Sequence, residues 1–282
     1  MDNKNNSCRP GEFARVQSSP PGMFDRLLRA YLRVGLRGFI RLWRLSGHDS
    51  QGTLRAATSF GTVFELSPFG YIDGIVLREG YYESEVIVAI SSSLGSGVLW
   101  DIGANFGLHG LTAKYLRPHA RVVCFEPSEA MLARLRRNCA LNRLEVDILG
   151  IALSDRTGYQ TLHIGPPGNP GMSTLSPWSA GSYAGECAVA TACGDELVSQ
   201  GTAPAPNVIK LDVEGHELSV LKGLARTLRQ DSLHTVIFED SLGPDTPVKE
   251  ILRQSGFACE LLGRAERSQH GLENFVARRP PS

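Results

Sequence analysis

The stretch Val98-Leu-Trp-Asp-Ile-Gly-Ala-Asn-Phe-Gly-Leu-His-Gly110 decides the fold of this chain. Its apolar run, Val98-Leu99-Trp100, stops at a carboxylate, Asp101, and passes into a loop with Gly103 and Gly107 ahead of a helix-like segment. The pattern is strand, tight turn, helix. Gly103 permits a sharp turn that brings backbone N–H groups near a ligand, and Gly107 lets the next helix pack close to the strand. The dinucleotide fingerprint G-x-G-x-x-G is absent, and the residues read Asp101-x-Gly103-x-Asn105-x-Gly107 instead. A carboxylate here repels a pyrophosphate and attracts an ammonium group. S-adenosylmethionine (SAM) carries that ammonium and no phosphate. An NAD-dependent dehydrogenase, which needs the tighter glycine spacing, is disfavoured.

Outward from that loop, Arg121-Val-Val-Cys-Phe-Glu126-Pro127 reads as a second apolar strand ending in an acid. Glu126 stands near the spacing of about 20 residues at which a carboxylate accepts ribose hydroxyls. After a third strand, Val146 to Leu149 continuing into Ile151-Ala-Leu153, comes the polar pair Ser154-Asp155. Either Asp155 faces an adenine amino group or it caps the turn ending at Gly158.

A further strand, Asn207 to Asp212, runs into Val213-Glu214-Gly215-His216-Glu217 and a helix from Leu218 to Leu228. Lys210 and Asp212 are two apart, so they share a face, at the carboxyl end of the strand where open α/β sheets bind ligands. Were the methyl group of SAM to pass to a hydroxyl, the hydroxyl would have to lose a proton held nearly as tightly as that of water. Asp212 is the expected proton acceptor, with Lys210 fixing it and Glu214, Glu239 and His216 in secondary places. A divalent ion on Asp212, Glu214 and Glu239 is the alternative, separable by chelation. Glu217 reads as a helix N-terminal acid.

The remaining segments fill in an alternating βαβ order. Thr62 to Leu66 and Ile75 to Leu77 suggest a hairpin, and Gly80 onward starts a helix through Ile90 in which Glu83 reads as a first-turn acid, the commoner case, or as a ligand contact. A helix from Leu111 to Leu116, one from Ser128 to Leu141 with Ser128 as N-cap, and an edge strand from Tyr159 to Ile164 follow. Gly165 to Gly185 is a long loop rich in proline and glycine, and its Met172, Trp178 and Tyr183 are suited to substrate contact. The strand His234 to Phe238 ends at Glu239-Asp240, and a helix from Val248 to Gln254 leads to strands Phe257 to Leu262 and Glu273 to Ala277.

At 282 residues and 42% hydrophobic, the chain suffices for one α/β domain, here residues 51–282, with an N-terminal extension. Residues 1–22 hold few apolar groups and read as a disordered tail. Within residues 23–50, Met23 to Leu45 reads as a basic amphipathic helix, suited either to a membrane interface or to packing on the domain. With 29 basic and 29 acidic side chains the net charge is zero, which weakens an RNA methyltransferase reading. Six cysteines without a C-x-x-C pair argue against zinc and disulfide frameworks. No stretch reads as a signal peptide or membrane span, so a cytoplasmic protein, peripheral at a membrane if the basic helix docks there, is expected.

The segments D-I-G-A-N-F-G, C-F-E-P, N-x-x-L-N (Asn138 to Asn142), A-L-S-D and K-L-D-V-E-G-H-E followed by V-L-K-G resemble the FkbM family of SAM-dependent methyltransferases over residues 71–240. The resemblance implies a class I methyltransferase fold, a doubly wound Rossmann-like sheet of seven strands with the last antiparallel. It implies O-methylation of a sugar, glycolipid or polyketide-type natural product. Asp101, Gly103, Asn105 and Gly107 are then assigned to the methionine end of SAM, Glu126 to the ribose, and Ser154-Asp155 to the adenine side. Leu108-His109-Gly110 departs from the family pattern of aromatics and a threonine, which makes His109 an extra residue near the methyl donor. A membrane-docked SAM-binding module without catalysis is a further alternative.

Overall fold

The structure is a computed structural model, and it describes residues 53–178, 181–263 and 272–280. The expected tail and basic helix lie outside the described residues. In chain order the elements are β1 (Leu54–Ala57), β2 (Val63–Leu66), α1 (Tyr71–Glu79), α2 (Ser84–Leu94), β3 (Val98–Ile102), α3 (Leu108–Leu116), β4 (Arg121–Phe125), α4 (Glu129–Asn142), β5 (Asp147–Leu149) and β6 (Ala152–Ser154). There follow β7 (Gly158–Ile164), β8 (Gly185–Cys193), α5 (Gly194–Ser199), β9 (Val208–Leu211), α6 (Glu217–Lys222), β10 (Thr235–Ser241), α7 (Pro247–Gln254), β11 (Ala258–Leu261) and β12 (Leu272–Arg278).

The continuous apolar strands β3, β4 and β9 form the middle of a seven-stranded sheet ordered β5-β4-β3-β9-β10-β12-β11. Such strands suit burial on both faces. Alternate side chains supply two cores. Leu99 and Val122 pack with Ile87, Ile90, Leu111 and Leu135 on one side. Trp100, Ile102, Val123 and Ile209 pack with Leu197, Val220 and Leu252 on the other. β12 runs antiparallel to both β10 and β11, giving the expected class I methyltransferase sheet. The order reverses between β3 and β9, and the crevice outside such a switch point is where this architecture binds ligands.

The two asparagines of N-x-x-L-N have a structural use. Asn138 Oδ1 accepts from Glu65 N–H at 2.9 Å, and Asn142 Oδ1 accepts from Val63 N–H at 2.8 Å. These amides give β2 the partners that a missing strand would supply. Arg134 stands 4.5 Å over the Phe106 ring and pairs with Asp73, tying α1 to α4.

Three local readings change, while Ser128 is the N-cap of α4 as expected, without a capping side-chain bond. Ile75 to Leu77 belong to helix α1, whose Asp73, Val76 and Leu77 are buried at helical spacing, and β2 pairs with β1 instead. β8 and α5 were unforeseen, and β6-β8-β7 form a separate small sheet. The helix after β9 ends at Lys222, and a short 3₁₀ turn, Thr227–Arg229, follows. Among the described residues no helix is long and apolar enough to cross a membrane.

Candidate active site

Gly103 follows β3 at the switch point with φ +78°, and a Cβ there would lie 1.8 Å from the Asp212 carbonyl oxygen. Only glycine allows the two strand tips this close. Gly107 answers to a different neighbour: a Cβ there would meet Leu135 of α4 at 2.4 Å. It supports the turn from the helix side.

Around the tips lies a cleft of about 840 Å³, counting the space open to solvent. Strand order sets its two ends. Beyond β3, Phe125, Met131, Leu153 and Leu162 form apolar walls beside Glu126; toward β10, Tyr82, Glu83, Asp212, Glu214 and Glu239 form an acid-lined end.

Glu126 is nearly buried. Its Oε2 accepts from Asn105 N–H and its Oε1 from Ser128 N–H, both at 2.8 Å. Each oxygen keeps a further lone pair for a diol. Burial pushes this carboxyl up to about 7 against the pull of those two N–H bonds.

Asp101 is fully buried behind Gly103, with Oδ2 accepting from Gly110 N–H at 2.9 Å and Oδ1 3.5 Å from Lys210 Nζ. Its cation is therefore the protein's own. Lys210 Nζ donates to the Gly103 carbonyl at 3.0 Å and stands 3.1 Å from Asp212 Oδ2. Burial alone lowers the pKa of this ammonium, but Asp212 and Asp101 outweigh it and hold it raised. Lys210 stays charged and orients Asp212, which borders the cleft.

Three non-glycine residues lining the cleft have left-handed backbone: Glu83 and Asn105 at φ 53° and Glu214 at φ 55°. Such conformations cost on the order of 1–3 kcal/mol and cluster at ligand sites. Glu83 is the N-cap of α2 and not a first-turn acid, so its strained backbone presents the carboxyl to the cleft. Glu214 precedes Gly215, and Glu217 Oε1 accepts from Val213 and Gly215 N–H, which fixes the turn.

Ser154 and Asp155 do not line the cleft, whereas the preceding Ala152 and Leu153 do. β6 leaves the main sheet to pair with β8, turning Ser154 Oγ toward His216 Nε2 at 2.9 Å while Asp155 is exposed. His216 Nδ1 in turn meets Ser176 Oγ at 2.8 Å. His109 is buried edge-on against Tyr81, and burial lowers it to about 3, so the ring is neutral. Sequence reasoning missed Tyr82, Thr174 and Leu175 as lining residues, since no periodicity marks them. Among the described residues no three His, Cys, Asp or Glu side chains form a ligand set for a metal ion.

The acid-lined end has a consequence for stability. Burial, followed by the Asp212 charge, pushes Glu83 up to about 7, Glu214 to about 8 and Glu239 to about 9. A carboxyl raised on folding binds its proton more tightly in the native state, so stability is lost as the pH rises from about 5 through 9. The melting temperature of the ligand-free protein is expected to be lower at pH 9 than at pH 6, with Glu239→Gln narrowing the gap. A melting temperature that rises over this interval contradicts the arrangement.

The methyltransferase FkbM domain model matches residues 101–260. The chain is 35% identical over 187 residues to the hexuronic acid methyltransferase AglP of Haloferax volcanii, covering 66% of this chain and 74% of that protein. It is 30% identical over 146 residues to the 2-O-methyltransferase NoeI of Sinorhizobium fredii, covering 46% of this chain and 58% of NoeI. A solved SAM-dependent methyltransferase from Agrobacterium tumefaciens superposes with a TM-score of 0.47 at 12% identity, over 83% of this chain and 72% of that one.

Proposed function

Because the chain belongs to the FkbM family of SAM-dependent methyltransferases, we propose that it methylates a hydroxyl group of a sugar. The observation that carries this reading is that Glu126 and Asp212 border one cleft on either side of the Gly103 turn. The relatives AglP and NoeI support the sugar, one by its hexuronic acid and the other by its 2-O position.

The residues present fit SAM. Glu126 would take the ribose hydroxyls, the apolar walls of Phe125, Met131, Leu153 and Leu162 the adenine, and the Gly103–Asn105 turn the methionine end. When bound, SAM supplies an electrophilic methyl group that bonds to the acceptor oxygen as its bond to sulfur breaks. The chain's part is to hold the acceptor hydroxyl in line, at about 3 Å, and to remove its proton. Asp212, held by Lys210, accepts that proton. Glu83, Glu214 and Glu239 surround the remaining hydroxyls, and those that are protonated also donate hydrogen bonds.

Incubation with methyl-labelled SAM and a panel of simple glycosides tests the reading. Label in a glycoside hydroxyl, abolished by omitting the enzyme, is the expected result. A protein that binds SAM and labels a non-sugar hydroxyl but no glycoside has another substrate.

A further inference from the structure

Beyond the reacting cleft, the loop between β7 and β8 borders a second cavity, of about 600 Å³ with its solvent-open space. Pro166, Met172, Trp178 and Tyr183 supply its apolar wall, and Thr174 and Glu214 border both this cavity and the cleft. The partition between the two is thus one residue pair thick. Its construction is tight: Thr174 Oγ1 donates to the Glu214 carbonyl at 2.7 Å, and Trp178 Nε1 donates to the same oxygen at 3.3 Å. Trp178 N–H donates to Tyr183 Oη at 3.0 Å, and the Tyr183 ring lies 5.4 Å from that of His163. The loop is docked elsewhere as well, where Tyr71 N–H donates to the Gly168 carbonyl at 2.8 Å.

We propose that this cavity is an acceptor subsite for an uncharged, apolar aglycone attached to the sugar that is methylated in the cleft. The inference rests on the sugar reading above. Adjacency argues for the occupant: Thr174 and Glu214 line both spaces, and both open to solvent, so a substituent on a sugar held beside Glu214 passes over the rim at Thr174 into the cavity. The wall argues for its chemistry. Thr174 Oγ1 is already engaged with the Glu214 carbonyl and with Ser176 N–H at 2.9 Å. Among the described residues the other polar side chains that line the cavity are Glu214, Ser182 and Tyr183, whose hydroxyl already accepts from Trp178 N–H. A second sugar ring would lose its hydrogen bonds to water with few replacements, whereas an aryl group loses nothing polar.

The test compares the methyl and phenyl glycosides of one accepted sugar. The phenyl glycoside is expected to have a kcat/KM about tenfold higher, through KM, as suits burial of one aromatic ring. In Met172→Ser and Trp178→Ala the phenyl-to-methyl ratio falls toward one. Trp178→Phe, which keeps the apolar face and drops the N–H bond to Glu214, preserves the ratio. Equal kcat/KM for the two glycosides in the native protein, an unchanged ratio in both Met172→Ser and Trp178→Ala, or a gain from a disaccharide but none from phenyl overturns the subsite and leaves sugar methylation standing. If no glycoside is methylated at all, the sugar reading fails and takes the subsite with it.

Discussion

Asp212→Asn lowers kcat by about three orders of magnitude while SAM affinity and melting temperature stay near those of the native protein. General-base groups contribute about 10²- to 10⁴-fold, and an amide keeps the shape of the carboxylate while losing its basicity. The geometry makes the substitution a clean one. Lys210 Nζ keeps Asp101 at 3.5 Å and the Gly103 carbonyl at 3.0 Å. The buried ammonium therefore retains a counter-ion, unlike the reverse experiment, in which removing Lys210 would leave Asp101 buried and unpaired at a cost of about 3–5 kcal/mol. Single-turnover transfer of labelled methyl with saturating acceptor reads the chemical step, and calorimetry with SAM reads binding. Native turnover would remove Asp212 from the chemistry and pass the proton to Glu83 or Glu239, whose glutamine variants would then carry the loss.

The parts legible in the sequence were those fixed by local chemistry. Gly103, Asp101 and Glu126 announce themselves within a few residues of a strand end, and the alternation of apolar runs with amphipathic segments gives the doubly wound sheet. The strand ends at Lys210-Leu-Asp212 were equally plain. What escaped depended on pairing between distant segments. Ser154 looks like an adenine contact until β6 is seen to pair with β8, about 40 residues later in the chain. β8 itself, Gly185 to Cys193, has only Val189 and Thr191 as β-branched residues among small ones, a weak strand signal, and it is held by antiparallel pairing with β7 from Gly185 to Thr191. Asp101 was expected to meet the ammonium of a ligand; the register that places it opposite Lys210 also gives it a cation within the protein, which no local pattern announces. Ile75 to Leu77 read as a strand because three apolar residues in a row suit either structure, and the deciding contact, Asp73 with Arg134, spans 61 residues.

Gly103→Ala is expected to do more damage than its single added methyl suggests. The residue sits at φ +78°, where any side chain is strained, by about 1–2 kcal/mol for alanine. The larger effect is steric: the new Cβ would stand 1.8 Å from the Asp212 carbonyl oxygen and 2.9 Å from its carbonyl carbon. Both contacts are backbone, so no rotamer relieves them, and the tips of β3 and β9 must part. Three ties resist that movement: Gly103 N–H donates to the Phe125 carbonyl at 3.0 Å, Asp212 N–H donates to the Ile102 carbonyl at 3.1 Å, and Lys210 Nζ holds the Gly103 carbonyl. A loss of about 4 kcal/mol or more follows, a fall in melting temperature of about 10 °C for a domain of this size. Asp212 moves with its carbonyl, so catalysis fails even in the fraction that remains folded. Gly185→Ala is the control, since no atom lies within 4 Å of its Cβ position. That variant should stay within about 0.5 kcal/mol of the native protein. Should Gly103→Ala melt with the control and still transfer methyl groups, the close approach of the two strand tips, on which the position of Asp212 depends, does not exist.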